Sequence, residues 1–451
     1  MPNSQNEWGI FAVRTYCANG SMRLTSYLLK VYYNGYCSAT LACLEGMLTD
    51  IENAALGWLH DEKRSMVDTV VRWAGVNTHT FNLQGLADLG RMLERDLAPL
   101  EAALKWTPVD PFSLVNDRGE RIERELGRLL VLQKRPHAPR RALLMIHTDT
   151  VYPLEGPAQT IRMRDDHLYG QGVADAKGGI AVLLWSLLAL ERFSPVQDFG
   201  WTVLLNPDEE IGSPGSMRLL ESYAQGHDIG LVFEPCLPNG ALVGARKGSG
   251  NFSIIVKGKA AHAGREFHAG INAIVGLSQC IQKLDRINHE WPDVTLNVGR
   301  ITGGGPLNVV PDLAIGHFNV RVKSSTEMVW VADALEDIVK TLNAQTDYHY
   351  TLHGQFYSPP KPMDARHESL FQHVFDCGRS IGMHLQHQPT GGVCDGNKLA
   401  AYGLPTVDTL GVQGGDIHSP EEYCLCDSFP QRAQLTFLLL NRFANQAIRL
   451  E

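Results

Sequence analysis

The sequence predicts an α/β protein: a mostly parallel sheet covered on both faces, with a smaller α+β domain inserted into it. Three observations carry this. Continuous apolar runs such as RALLMI (141–146) and WTVLLN (201–206) read as strands buried on both sides. They alternate with helical stretches, GGIAVLLWSLLALERF (178–193) and GSMRLLESYA (215–224), and strand–helix–strand order implies parallel pairing. From about Gly248 the rhythm changes to β-α-β-β-α-β, the order of a ferredoxin-like sandwich.

Each element follows in order along the 451 residues, a length that allows two or three domains. Residues 1–55 read as an N-terminal extension. Its stretch LTSYLLKVYYNGYCSATLAC (24–43) is broken by Lys30, Asn34 and Gly35, and no basic start precedes an unbroken apolar run. A standard signal peptide is therefore not expected, and translation from Met22 or Met47 is an equal reading. From Leu56 to about Leu104 apolar residues recur three and four apart, as in LADLGRMLERDLAPLEAAL (86–104). GVNTHTFNLQG (75–85) interrupts that helical pattern. Residues 56–247 and 359–451 form the main domain, and 248–358 the insertion. Within the insertion NFSIIVKGKA (251–260) alternates, which predicts a strand with one solvated face.

Composition narrows the function classes. With 49 acidic against 40 basic side chains the net charge is -9, which argues against nucleic acid or an anionic membrane as partner. The 9 cysteines show no zinc-finger rhythm. Free thiols in a reducing, cytoplasmic setting are expected. No stretch reaches the length of a membrane-spanning helix.

In open parallel sheets chemistry gathers at the carboxyl ends of strands. After RALLMI come His147 and Asp149; YGQGVADAKGG (169–179) delivers Asp175. After WTVLLN come Asp208, Glu209 and Glu210; IGLVFE ends on Glu234, and GGDIHSPEEY (414–423) supplies His418. Each alone has an ordinary reading: an HxD pair, a solvated acidic turn, a helix cap at Asp175, a loop residue. Together at strand ends of one sheet, they suit a pair of zinc ions or similar borderline metals rather than calcium. Adjacent Glu209 and Glu210 would point opposite ways on extended backbone, one to a metal and one to a water.

The pieces HTDTVYP, GQGVADAKGG, NPDEEIGSPGS, FEP, GKAAHAG, NVVPD and IHSPEEY, in this order between Leu143 and Tyr423, resemble the M20 metallopeptidases, most closely their glutamate carboxypeptidase branch. The resemblance implies a di-zinc catalytic domain and an inserted lid through which two subunits pair. His147, Asp175 and Glu234 would hold one zinc; Asp175, Glu210 and His418 the other, with cobalt or manganese as alternatives. Glu209 would be the general base, and Asp149 would orient the His147 imidazole. His262 would stabilise the tetrahedral oxyanion, often from the partner subunit; Asn308 and Arg321 would bind substrate. Gly391 and Gly392 would meet the substrate carboxylate through backbone N–H groups. Cys394 stands where many relatives have serine or threonine. The expected activity is hydrolysis of an amide next to a free carboxylate, on a small peptide or acyl-amino acid. The alternative is N-acyl-amino-acid deacylation of the acetylornithine deacetylase kind, and a non-catalytic binding protein is the rival from another class.

Overall fold

The computed structural model describes residues 8–16, 22–30, 48–156 and 160–448. Residues 1–47 form one unit and 48–451 another. The described part of the first is an antiparallel pair, Trp8–Tyr16 with Met22–Lys30. The rest of the stretch weighed as a leader, beyond Lys30, lies outside the described residues, as does the alternative start at Met47.

The second unit begins with helices Asp50–Asp61, Lys63–Ala74 and Leu83–Leu97. The first helix runs across the boundary expected at 55. Thr49 caps it through the Glu52 N–H while the Glu52 carboxylate returns to the Thr49 N–H, a reciprocal cap that fixes the helix start. The helical pattern expected to reach Leu104 stops at Leu97. Pro99 falls in a short 3-10 turn, Glu101 turns left-handed at φ 50°, and Ala103–Pro108 is a strand.

Eight strands form the main sheet, in the order His387–Thr390, Leu242–Arg246, Thr406–Asp408, Ile229–Val232, Arg140–His147, Phe199–Asn206, Arg128–Lys134, Ala103–Pro108. Arg140–His147 runs parallel to both neighbours, and Arg128–Lys134 pairs antiparallel on each side. Alternate residues of the central strand feed two cores, as a strand's period of two requires. Leu144 and Ile146 pack with helices Lys177–Phe193 and Ser428–Ala444, whereas Leu143 and Met145 pack with Leu220, Ala224 and Leu399. The central strands are thus dry on both faces, which is why they read as unbroken apolar runs, whereas the edge strands Ala103–Pro108 and His387–Thr390 are largely exposed.

A second, antiparallel sheet has the order Thr295–Gly303, Leu313–Val322, Gly248–Lys257, His349–Ser358. Helices Ala273–Glu290 and Ser325–Gln345 share a separate apolar core with it, built around Phe252, Ile254, Leu277 and Val331. A small four-stranded sheet joins His167–Tyr169 to Tyr423–Leu425. It sets the loop before Asp175 beside the loop that carries His418. No described helix is long and apolar enough to cross a membrane. The six described cysteines are free and buried.

Candidate metal and substrate site

Three neighbouring parallel strands place the first group. His147 is the last residue of its strand and lies in register with Asn206. Phe233 N–H donates to the Met145 carbonyl at 3.0 Å, which carries Glu234 alongside. The Asp208–Ser216 turn follows Asn206 and presents Glu209 and Glu210. Its closure comes from Asp208, which accepts from the N–H groups of Gly215 and Ser216 and from the Ser216 hydroxyl. Burial raises the Asp208 pKa to about 7. The first acid of DEE therefore shapes the turn, and the next two face the pocket.

The two oxygens of Asp175 face two different clusters. Its Oδ1 lies 3.0 Å from His147 Nε2, which is 3.8 Å from Glu234 Oε2. Its Oδ2 lies 3.3 Å from His418 Nε2, which is also 3.3 Å from Glu210 Oε2. His147, Asp175 and Glu210 each offer a donor atom within 4.8 Å of the others, a group that could hold a metal ion. Buried Glu210 Oε1 has no hydrogen-bond partner among the described residues. An orphaned carboxylate oxygen facing imidazoles and a second carboxylate fits a cation. His418 itself sits at φ 63°, a left-handed backbone that a non-glycine residue adopts at a cost.

Electrostatics say the same. Burial, with mutual repulsion, pushes the carboxyls of Glu209 and Glu234 up, and that of Glu210 to about 7. Against its own burial, hydrogen bonds to His147 and His418 hold Asp175 below the usual range. Bonds to Asp175 and Glu210 raise His418 to about 10. Four carboxylates crowded around two imidazoles are an anionic cluster that positive charge relieves.

Glu209 and Glu210 were expected on extended backbone. They lie instead on a 3-10 turn, Glu209–Ile211. The reason is Asp149, whose Oδ1 accepts from the Glu209 N–H at 3.1 Å and Oδ2 from the Glu210 N–H at 3.2 Å. The Thr80 hydroxyl adds a third donor at 2.7 Å. The carboxylate of Asp149 is 3.4 Å from His147 Nδ1, while the Asp149 carbonyl is nearer, at 3.0 Å. Asp149 thus touches both the imidazole and the acidic turn. The Glu209 carboxylate makes no side-chain hydrogen bond among the described residues, although the charges of Glu234, His147 and Lys398 act on it.

The pocket that holds Asp175, Glu209, Glu210, Glu234 and His418 also takes in Arg321 and Gly392, with an accessible volume of about 400 Å³. Arg321 donates through Nη1 to the Gly391 carbonyl at 3.3 Å. The Gly392 carbonyl accepts from Arg246 at 3.3 Å, and the Gly392 N–H turns to Thr390 Oγ1 at 3.3 Å. These glycines therefore hold arginines through their carbonyls. Cys394 caps the helix Asp395–Ala401, its Sγ accepting from the Gly396 N–H at 3.3 Å. His262 and Asn308 do not line this pocket. They sit together on an exposed edge, where the Ala263 N–H donates to the Asn308 carbonyl at 2.9 Å.

Two residues escaped the sequence reading. Fully buried Glu422 accepts from the N–H groups of Gly172, Ala174 and Asp175 at 3.0, 2.9 and 3.0 Å, and from the Tyr152 hydroxyl. It fixes the loop that aims Asp175. Arg246 is bidentate on Asp408, both contacts at 3.0 Å, with Lys361 on the same carboxylate at 2.8 Å. IHSPEEY contains Glu422, but nothing local marks it, because its partners lie some 250 residues upstream.

Comparison with known proteins agrees with this geometry. The sequence profile of Peptidase family M20/M25/M40 matches residues 143–442. The chain is 27% identical to carboxypeptidase G2 of Pseudomonas sp. (strain RS-16) over 388 residues, 84% of this chain and 89% of the relative. It is 30% identical to succinyl-diaminopimelate desuccinylase of Nitrosococcus oceani over 300 residues, 61% of this chain and 76% of the relative. Among solved structures, an M20 family metallo-carboxypeptidase of Sulfolobus solfataricus superposes with TM-score 0.67 at 14% identity, over 84% of this chain and 99% of that one. A dinuclear metal-binding M20 peptidase of Bacillus subtilis gives 0.59 at 15% identity, over 85% and 98%. The chain belongs to peptidase family M20/M25/M40, and is a metal-dependent hydrolase of that family.

Proposed function

We propose that this enzyme hydrolyses an amide bond adjacent to a free carboxylate, in the manner of a glutamate carboxypeptidase. The observation that carries the reading is Asp175, whose two oxygens face two separate histidine–carboxylate clusters in the pocket that Glu209 also lines. His147, Asp175 and Glu234 would hold one zinc ion, and Asp175, Glu210 and His418 a second. When bound there, such a pair would polarise the scissile carbonyl and lower the pKa of water toward ~7. Glu209 takes the proton of the attacking water and returns it to the leaving amine. Asp149 keeps Glu209 and His147 in register. Arg321 receives the substrate carboxylate, which a guanidinium matches through paired donors.

The sheet that spans Gly248–Ser358 acts as lid and pairs two subunits. Ile274 and Val275 on its helix Ala273–Glu290, Ile301 on its edge strand and Leu307 and Val309 in the following loop are exposed, and a second copy is the occupant that buries them. His262 and Asn308 lie at that edge, and would reach a pocket of the partner subunit, where the imidazole stabilises the oxyanion.

The rival reading is removal of an N-acyl group from an amino acid, favoured by the similarity to succinyl-diaminopimelate desuccinylase. A hydrolysis screen of dipeptides and acyl-amino acids, with zinc or cobalt added, tests both. Fastest turnover of substrates with a C-terminal acidic amino acid supports the first. Preference set by the acyl group, regardless of the amine released, supports the second.

A further inference from the structure

We propose that Asn319 is a positioning residue that aims Arg321 while leaving its charge unspent, so that the pocket selects a substrate carboxylate. This rests on the reading of Arg321 as the carboxylate's receptor. Asn319 and Arg321 lie two apart on Leu313–Val322 and so share one face of the strand. Across the sheet they pair with Asn251 and Ser249. The Asn319 Nδ2 donates to the Gly250 carbonyl at 3.0 Å, Asn251 Oδ1 at 2.7 Å and Ser249 Oγ at 3.0 Å. Its Oδ1 accepts from Arg321 Nε at 2.9 Å. A carbonyl can only accept and a guanidinium can only donate, so these two ends fix the amide's orientation.

The consequence shows against Arg246, in the same pocket. Arg246 spreads two nitrogens over Asp408, and its charge is matched inside the protein. Arg321 has no carboxylate partner among the described residues; its pKa is lowered by burial, with nothing raising it. Asn319 takes Nε and the Gly391 carbonyl takes one Nη1 hydrogen. The remaining Nη1 and Nη2 hydrogens are left to donate to a carboxylate end-on. A carboxylate at 319 would still accept from Arg321 Nε but would neutralise the arginine, and it would lose the donor that now meets the Gly250 carbonyl.

The test is steady-state kinetics of the metal-loaded enzyme, on one peptide substrate and on its C-terminal carboxamide. Arg321→Ala, Asn319→Leu and Asn319→Asp are compared with the parent, with metal content and melting temperature checked. Asn319→Leu should raise KM for the carboxylate substrate about tenfold, the worth of one charge-assisted hydrogen bond, with kcat little changed. Asn319→Asp should raise it further, and neither should alter KM for the carboxamide. A merely structural role would affect both substrates alike and would overturn the proposal. If Arg321→Ala leaves KM unchanged, the receptor reading fails and the proposal with it. If Arg321→Ala raises KM while both Asn319 variants match the parent, the positioning role alone fails. Should either Asn319 variant lower the melting temperature, Asn319→Gln, which keeps both the donor and the acceptor on a longer stem, carries the test: a raised KM for the carboxylate substrate alone supports the proposal, and equal change on both substrates overturns it.

Discussion

At the carboxyl edge of the main sheet buried carboxylates brace the loops that carry the candidate ligands; in the inserted domain Arg321 reaches that pocket, but His262 and Asn308 stand apart from it. Asp149 is wholly buried and accepts from Thr80, Glu209 and Glu210. Glu422 braces the loop of Asp175 in the same way. His262, by contrast, is exposed, and among the described residues its imidazole accepts only from the nearby Gly264 N–H, at 3.1 Å. Buried and fully bonded groups hold one geometry, because any departure leaves an unpaired polar atom out of water. The difference teaches that the cluster proposed for hydrolysis is braced within one chain, whereas the proposed oxyanion group would be supplied from outside the pocket of its own chain.

The largest effect tests the centre of the first region. Asp175→Ala should lose metal at both sites and all measurable turnover, whereas Glu234→Ala should mainly weaken one site. A bridging carboxylate offsets the repulsion between two close cations, so its removal disturbs both. Metal stoichiometry after dialysis decides this, and two tightly held ions in Asp175→Ala would refute the bridge. Next in size is Glu209→Gln. An amide of the same shape cannot accept a proton, so kcat should fall by about 10⁴ with both metals retained. Parent-like turnover would remove Glu209 from the chemistry.

The second region gives a smaller number and a sharper contrast. His262→Ala should keep its metals and fold and lose about 10² in kcat, with less change in KM, since the oxyanion forms only along the reaction. If the histidine acts across the dimer, mixing inactive His262→Ala with inactive Glu209→Gln should restore activity, because one shared site then has both groups intact. Subunit exchange without recovery would place His262 in its own pocket or outside catalysis, and the contrast between the regions would collapse.

The strand-end acids were legible because each follows an apolar run, and chain order alone brings parallel strand ends together. The Thr49–Glu52 reciprocal cap went unread, and the helix boundary was expected six residues later. Other features depended on distant partners. The 3-10 turn at Glu209 exists because Asp149, some 60 residues away, accepts its N–H. Arg246 reads like any strand arginine until Asp408 is seen 162 positions later. Local pattern reports which residues can do chemistry; the contacts that aim them are long-range.

The smallest predicted effect probes that long-range bracing directly. Glu422 has four donors on two oxygens, three of them backbone N–H groups of the Asp175 loop and the fourth Tyr152. Glu422→Gln keeps the shape but turns one acceptor into a donor, so an N–H must then face an N–H. The loop should shift by a few tenths of an ångström, enough to misaim Asp175 without unfolding the chain. Supporting contacts behind metal ligands are typically worth about 10–100-fold in affinity; one reversed bond among four belongs at the lower end, about tenfold. Because Asp175 faces both clusters, both metals should weaken together, measured by competition with a chelator. Glu422→Asp keeps the charge but shortens the reach, and should fall between Gln and the parent. Weakening of a single metal would mean that the loop moves about one oxygen of Asp175 only. Unchanged affinity in Glu422→Gln would show that the first region owes its rigidity to the strands themselves rather than to this buried carboxylate.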